Sequence, residues 1–223
     1  KMNELLVGVV GSTAYGLATP ESDIDKLGVF LGETKDYLGF GKPTETVVQK
    51  APLPDKTMHE LKKFLSLCLA NNPTVTELLF LESYEVRSEI GDFLVENRQK
   101  FLSQRIRNTY GGYADQQRKR LVERGDFGSD LKKRQNKHGR HCCRLILQGS
   151  HALKHGEIKV KLDAAEVSLC RAMGDYAEKD KERFSGLMEE MFQQFDNLKS
   201  DLPKEPDQEF FEGYLVGVTL RSI

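Results

Sequence analysis

The stretch Val7 to Phe30, VGVVGSTAYGLATPESDIDKLGVF, constrains this chain more than any other. An apolar run, Leu5 to Val10, ends at Gly11-Ser12. A Gly-bounded turn follows, Thr13 to Gly16, and Ser22-Asp23-Ile24-Asp25 then leads into a second run, Leu27 to Leu31. Runs this short, rich in Val and bounded by Gly and polar residues, read as buried strands. Asp23 and Asp25 stand two apart at the head of the second strand, so the pleat sends both carboxylates to one face. Neighbouring carboxylates repel unless a cation lies between them, and hard oxygen donors suit Mg2+ or Mn2+. At the end of the other strand, the N–H groups of Gly11-Ser12 and the Ser12 hydroxyl are placed to hold phosphate oxygens at the start of a helical turn. The bland alternative makes Asp23 and Asp25 solvated turn residues.

Spacing excludes three other loops. A Walker A loop needs Lys-Ser/Thr after its second Gly, and Leu17-Ala18 stands there. Gly8, Gly11 and Gly16 have the wrong spacing for a dinucleotide fingerprint. An EF-hand begun at Asp23 matches at Asp25 and Gly28 but fails at Leu27 and Thr34.

Gly-Ser followed at an interval by Asp-x-Asp entering a strand resembles the nucleotidyltransferase superfamily that includes DNA polymerase β. GSTAYGLATPESDID resembles its RNA-ligase-associated polymerase-β-type subgroup. The likeness continues through DKTMHELKKFLSLCLANNPTVTELLF, Asp55 to Phe80, and returns more weakly at KHGRHCCRLI and GEIKVKL. It implies an α+β fold with a small mixed sheet, a helical C-terminal half, and two-metal transfer of a nucleoside monophosphate from an NTP. It also implies that the Asn-Pro element at Asn72-Pro73 packs behind the catalytic sheet.

The chain of 223 residues suits a catalytic domain over residues 1–100 and a helical domain over 101–223. No segment approaches a membrane span. Net charge is −1, so any nucleic-acid contact requires a local patch. Cys68, Cys142, Cys143 and Cys170 lack metal-ligand spacing and read as buried thiols of a reducing, cytoplasmic setting. A homo-oligomer is compatible with the sequence.

Gly32 to Pro43 reads as a loop beside the site, either a flap or a connector. Thr44 to Lys50 reads as a strand, broken at Ala51 to Pro54, and Asp55 to His59 as another, with Glu60 opening a helix. If the strand from Asp25 runs away from the metal and 44–50 runs back, the turn 51–54 returns to the metal side. Asp55 is then the acid closest to Asp23 and Asp25; Glu45 lies at the far end, and Glu60 roughly 17 Å further along. The family resemblance agrees, since it implies a third acid on a later strand. Expected nucleotide contacts are Gly11, Ser12, Tyr15, Ser22 and Lys63.

Leu61 to Leu69 reads as a helix, Pro73 starts another over 74–81, and Gly91 to Phe101 is amphipathic. From Arg105 to Arg144 basic residues outnumber acids, with Tyr110, Tyr113, His138 and His141 interleaved. Arg107 to Glu123 and Lys132 to Lys154 read as a basic helical hairpin around a loop, Gly125 to Ser129, suited to an NTP or a nucleic-acid backbone. Its alternative is a solvated basic surface. Lys137, His141 and Arg144 share one helical face, matching a family pattern except at Arg140, where an apolar or aromatic residue is more usual, and are the expected contacts to acceptor or phosphate. His151 and His155 read as helix-end residues before Gly156 rather than zinc ligands. Ile158 to Leu162 reads as extended and Asp163 to Leu198 as two helices interrupted near Gly174. Ser200 to Asp207 is a linker, and Phe210 to Ile223 an apolar element that docks back.

The resulting expectation is a metal-dependent nucleotidyltransferase acting on an RNA end, as in tRNA repair. The rivals are transfer to a protein or small metabolite, and a non-catalytic nucleotide- or RNA-binding regulator, against which the retained Asp pair argues.

Overall fold

The computed structural model describes residues 2–50, 52, 54–123 and 130–221. Two units divide them, Lys1–Leu102 with Glu205–Ile223, and Ser103–Lys204. The expected loop Gly125 to Ser129 and Arg124 lie outside the described residues, as do Ala51 and Leu53 of the expected turn. The C-terminal segment belongs to the first unit, not to the helical one that the sequence suggested.

The first unit holds β1 (Asn3–Val10), β2 (Asp25–Leu31), β3 (Thr46–Gln49), β4 (Lys56–Glu60) and β5 (Val86–Arg87), in the order β3-β4-β2-β1-β5. β2 and β4 are parallel, and the other pairs are antiparallel. This is the expected small mixed sheet of an α+β fold, with β4 rather than β3 beside β2. Residues 27–30 are all buried because both sheet faces are covered. Leu27 and Val29 join Phe64, Leu65, Cys68, Leu78 and Leu94 in the larger core, whereas Val7, Phe30 and Met58 cluster on the opposite face. A register shift between Glu4 and Leu6 makes Leu5 an extra residue, and Leu5 and Leu6 both enter the larger core.

Around the sheet lie α1 (Gly11–Tyr15), α2 (Thr34–Leu38), α3 (Leu61–Leu69), α4 (Pro73–Thr76) and α5 (Glu89–Glu96). The Glu60 carboxylate caps α3, accepting from the N–H groups of Lys62 at 2.7 Å and Lys63 at 3.3 Å. Asn72 caps α4 in the same way, with Pro73 at its first position. A 3-10 turn, Glu77–Phe80, continues α4, and another, Arg98–Phe101, follows α5. α2 occupies part of the stretch that reads as a loop; it buries no residue and is too short to show a helical period.

Helix α10 (Gln208–Arg221) closes this unit. Phe211 stacks on Phe101 with ring centroids 3.6 Å apart, and Tyr214 stacks on Phe93 at 3.5 Å. Phe211 and Val218 are buried in the larger core, so the apolar C-terminal element does dock back.

The second unit contains α6 (Ile106–Glu123), α7 (Asp130–His155), α8 (Ala164–Lys179) and α9 (Lys181–Asp196). The expected interruption at Gly174 is absent. The chain breaks at Asp180 instead, whose carboxylate caps α9 by accepting from Arg183 N–H at 3.1 Å. Gly174 serves close packing: a Cβ there would lie 2.7 Å from Arg140 Cγ, and one at Gly139 would lie 2.6 Å from Ala177 Cβ. Residues 158–162 form no strand, yet Ile158, Val160 and Leu162 are buried in alternation with Lys159 and Lys161.

Arg144, only 4% exposed, holds that segment to α7. Its Nη1 donates to Gln148 Oε1 at 2.9 Å, and Gln148 Nε2 donates to the Val160 carbonyl at 2.9 Å. His141 is largely buried; lost hydration, then the positive charges of Arg144, Lys137 and Arg140, push its pKa down to about 3. All four cysteines are buried free thiols, as their spacing predicts. Among the described residues no helix is long and apolar enough to cross a membrane.

Two outcomes follow from this packing. Phe211→Ala should destabilise the first unit by about 3–5 kcal/mol in urea unfolding. Val216→Ala, at an exposed position of the same helix, should change it by no more than about 0.5 kcal/mol. Equal effects would show that α10 is not docked through Phe211. His141 takes up a proton near 6.5 when unfolded but only near 3 when folded. The unfolded chain therefore binds more protons in that window, and stability falls as pH drops through it, by at most about 1.4 kcal/mol per pH unit. Urea unfolding at pH 7 and pH 5 should show this fall, and His141→Gln should flatten it.

Candidate active site

The parallel pairing of β2 with β4 sets Lys26 opposite Lys56 and Phe30 opposite Glu60. Lys26 N–H donates to the Asp55 carbonyl at 2.8 Å. Asp25 is the first residue of β2, and Asp55 immediately precedes β4. The two acids thus stand at the same end of adjacent strands. Glu60 lies at the other end, buried and occupied as a helix cap. Glu45 lies there too, its carbonyl accepting from Glu60 N–H at 2.9 Å. Topology therefore brings Asp55, rather than Glu45 or Glu60, to Asp25.

Asp23 falls in the irregular approach to β2, because the strand begins only at Asp25. The pleat does not reach it, so the expected same-face placement is not supplied by strand geometry. Asp23, Asp25 and Asp55 are all exposed. The lysines that follow two of them are engaged elsewhere, Lys26 with Glu85 at 2.8 Å and Lys56 with Glu4 at 2.7 Å.

β1 ends with Val10 paired to Asp25, and the chain turns at once into α1. Gly11 has φ 70°, and a Cβ there would lie 2.9 Å from Asp25 Oδ2. Only glycine permits both that conformation and that approach. Gly11 N–H donates to Glu77 Oε1 at 3.3 Å, and the Tyr15 hydroxyl donates to Glu77 Oε2 at 2.5 Å. Glu77 is 2% exposed. Its only sequence signal is a carboxylate inside the apolar run TVTELLF, where a helix would be expected to expose it.

Several of the residues expected at the nucleotide make contacts within the chain. The Gly11 N–H is directed to Glu77 and not outward to phosphate, and Tyr15 is buried with its hydroxyl on the same carboxylate. Ser22 holds a local turn, its Oγ accepting from Thr19 N–H at 2.8 Å. Lys63 pairs with Glu45 at 3.4 Å, at the sheet end opposite Asp55. Of the expected nucleotide contacts, Gly11 lies against Asp25 and half-buried Ser12 follows it in the turn.

In the second unit, the face of Lys137, His141 and Arg144 is not a uniform surface. Lys137 is exposed, His141 largely buried and Arg144 buried, because α7 turns that side into its own unit. Other cations are used internally as well. The Arg107 guanidinium donates to the carbonyls of Phe195, Asp196 and Leu198, while Arg118 and Lys119 pair with Asp115. Arg120, Lys132, Lys133, Arg134 and Lys137 are exposed. His151 and His155 contact one another with ring centroids 4.5 Å apart at the end of α7.

Among the described residues, no three His, Cys, Asp or Glu side chains form a ready-made metal cage. In donor type, however, the sheet end fits a hard divalent ion. It presents exposed carboxylates, with Gly11 leaving beside Asp25 Oδ2 a space that a Cβ would fill. Asp25 and Asp55 are the carboxylates at that sheet end, and Asp23 lies in the approach to it.

The chain is 28% identical over 142 residues to a phage T4 protein described as an uncharacterized 38.9 kDa protein of the nrdC-mobD intergenic region. That match takes in 58% of this chain and 41% of the T4 protein, so the chain spans less than half the length of its relative. A crystal structure of a nucleotidyltransferase-like protein from Exiguobacterium sibiricum 255-15 aligns over 88% of this chain and 68% of its own, at 11% identity and TM-score 0.31. The sequence model described as RNA repair pathway DNA polymerase beta family matches residues 2–211. The match runs through the Gly-Ser turn, the carboxylates of β2 and β4 and the helices of the second unit, and the chain belongs to that family.

Proposed function

We propose that this protein moves a nucleoside monophosphate from an NTP to an acceptor hydroxyl, as an EC 2.7.7-type transferase. The observation that carries the reading is the alignment of Asp25 with Asp55 at one end of the parallel pair, against the Gly11 turn, in a member of a polymerase-β-type family. Asp23, Asp25 and Asp55 would hold Mg2+ or Mn2+. Bound there, the ions would neutralise charge on the in-line displacement at the α-phosphorus. The Ser12 hydroxyl would bind the phosphates of the NTP, ATP or another, and the Gly11 turn would keep the Asp25 carboxylate in place. The acceptor oxygen would form a bond to the α-phosphorus as its proton passes to water, and the α–β anhydride bond would break, its electron pair leaving with pyrophosphate.

An RNA end, as in tRNA repair, is the acceptor we favour, in a cytoplasmic setting. The RNA-repair description of the family supports it, as do the exposed Lys132, Lys133, Arg134 and Lys137. Transfer to a protein or small metabolite is the second reading. Its support is that Arg107 and Arg144 are engaged internally, which leaves less basic surface than the sequence implies.

Labelled NTP, Mg2+ and either RNA or protein extract test the reaction. Asp23→Ala and Asp25→Ala should abolish transfer without loss of fold, and Asp55→Asn should slow it by about a hundredfold or more. Glu45→Gln should leave it near wild type; full activity in Asp25→Ala would sink the assignment. RNA affinity should fall with salt, with a log–log slope of about −0.7 per phosphate contact on single strands. Lys133→Gln with Lys137→Gln should flatten that slope. Undetectable RNA binding at low salt, with efficient labelling of a protein or metabolite, would select the second reading.

A further inference from the structure

Glu77 is a buried carboxylate held by two donors from the same five residues, Gly11 at the start of α1 and Tyr15 at its end. We infer that Glu77 is a positioning residue for transfer: it fixes the Gly11 turn, and through it the Asp25 carboxylate, in the geometry that chemistry requires. Burying a carboxylate costs several kcal/mol unless donors compensate. Gly11 and Tyr15 both belong to α1, so these two bonds act on that turn. α1 needs such a hold, because a one-turn helix is not stable on its own and Val10 gives it no side-chain cap. Asp25 also approaches the turn: its Oδ2 lies 2.9 Å from where a Gly11 Cβ would stand. Gly11 is thus bonded to Glu77 and close to Asp25, and movement of the turn changes the space beside the Asp25 oxygen. The Tyr15 bond, at 2.5 Å, is in the range of charge-assisted O–H···O contacts.

This inference rests on the proposed transfer for its kinetic part only. The direct readout is hydrogen exchange of the Gly11 amide in 15N-labelled protein. In Glu77→Gln one side-chain oxygen remains, so it cannot serve both donors through two oxygens. Gly11 exchange should rise about tenfold, and kcat should fall about tenfold or more. Tyr15→Phe removes one donor only and should give a smaller rise and a smaller fall in kcat. A purely structural role would lower the unfolding midpoint and leave kcat per folded molecule unchanged. Unchanged Gly11 exchange in folded Glu77→Gln, or unchanged kcat, overturns the inference. If Glu77→Gln does not fold, Tyr15→Phe decides it by the same two readouts. If the wild type transfers no label from any NTP, the proposed function fails, and the exchange measurement alone still decides whether Glu77 holds the turn.

Discussion

The hydrogen bond from Lys26 N–H to the Asp55 carbonyl opens the parallel ladder between β2 and β4. Much of the candidate site depends on it. A parallel pair starts both strands at one end, so an acid at the head of each is brought to the same place without a long side chain or a specific loop. An antiparallel pairing would have put Asp55 beside Phe30 and brought Glu60 to Asp25. The choice is reinforced at the far end, where Glu60 is consumed by capping α3 and Glu45 is held by Lys63. Asp25 and Asp55 are exposed at one end, while Glu60 at the other is buried as a helix cap.

The second constraint is steric. Val10 and Asp25 are ladder partners, so the turn after Val10 begins directly beside the Asp25 side chain. A residue with a Cβ at position 11 would meet the carboxylate oxygen and would also have to hold a positive φ. Glycine solves both problems, and the mobility it introduces is countered by the hydrogen bonds of Gly11 and Tyr15 to Glu77. The turn is therefore set by those bonds and by the close approach of Asp25.

Much of this was legible in the sequence because it is written in short-range patterns. The Val-rich runs with Gly and Asp boundaries mark β1 and β2, Asn72-Pro73 marks a helix start, and the antiparallel return from β3 to β4 brings Asp55 to the sheet end where β2 begins. What the sequence hid depends on partners far along the chain. Glu77 meets Gly11 and Tyr15 more than sixty residues away, and no period in TVTELLF announces it. The basic stretch shows how many cations it contains but not which of them α7 turns inward, and Arg144 became a buried strut. Gly174 was ambiguous because the residue that breaks a helix also lets two helices touch. Asp23 was drawn into β2 by extending a pleat that starts only at Asp25.

The central claim is that this sheet end supports nucleotidyl transfer. Parallel reactions with α-labelled and γ-labelled NTP, divalent ion and an RNA or protein acceptor test it most directly. Label from the α-phosphate should appear on the acceptor, while label from the γ-phosphate leaves as pyrophosphate. Label from the γ-phosphate on the acceptor, or no label from either position with any of the four NTPs, would contradict the account.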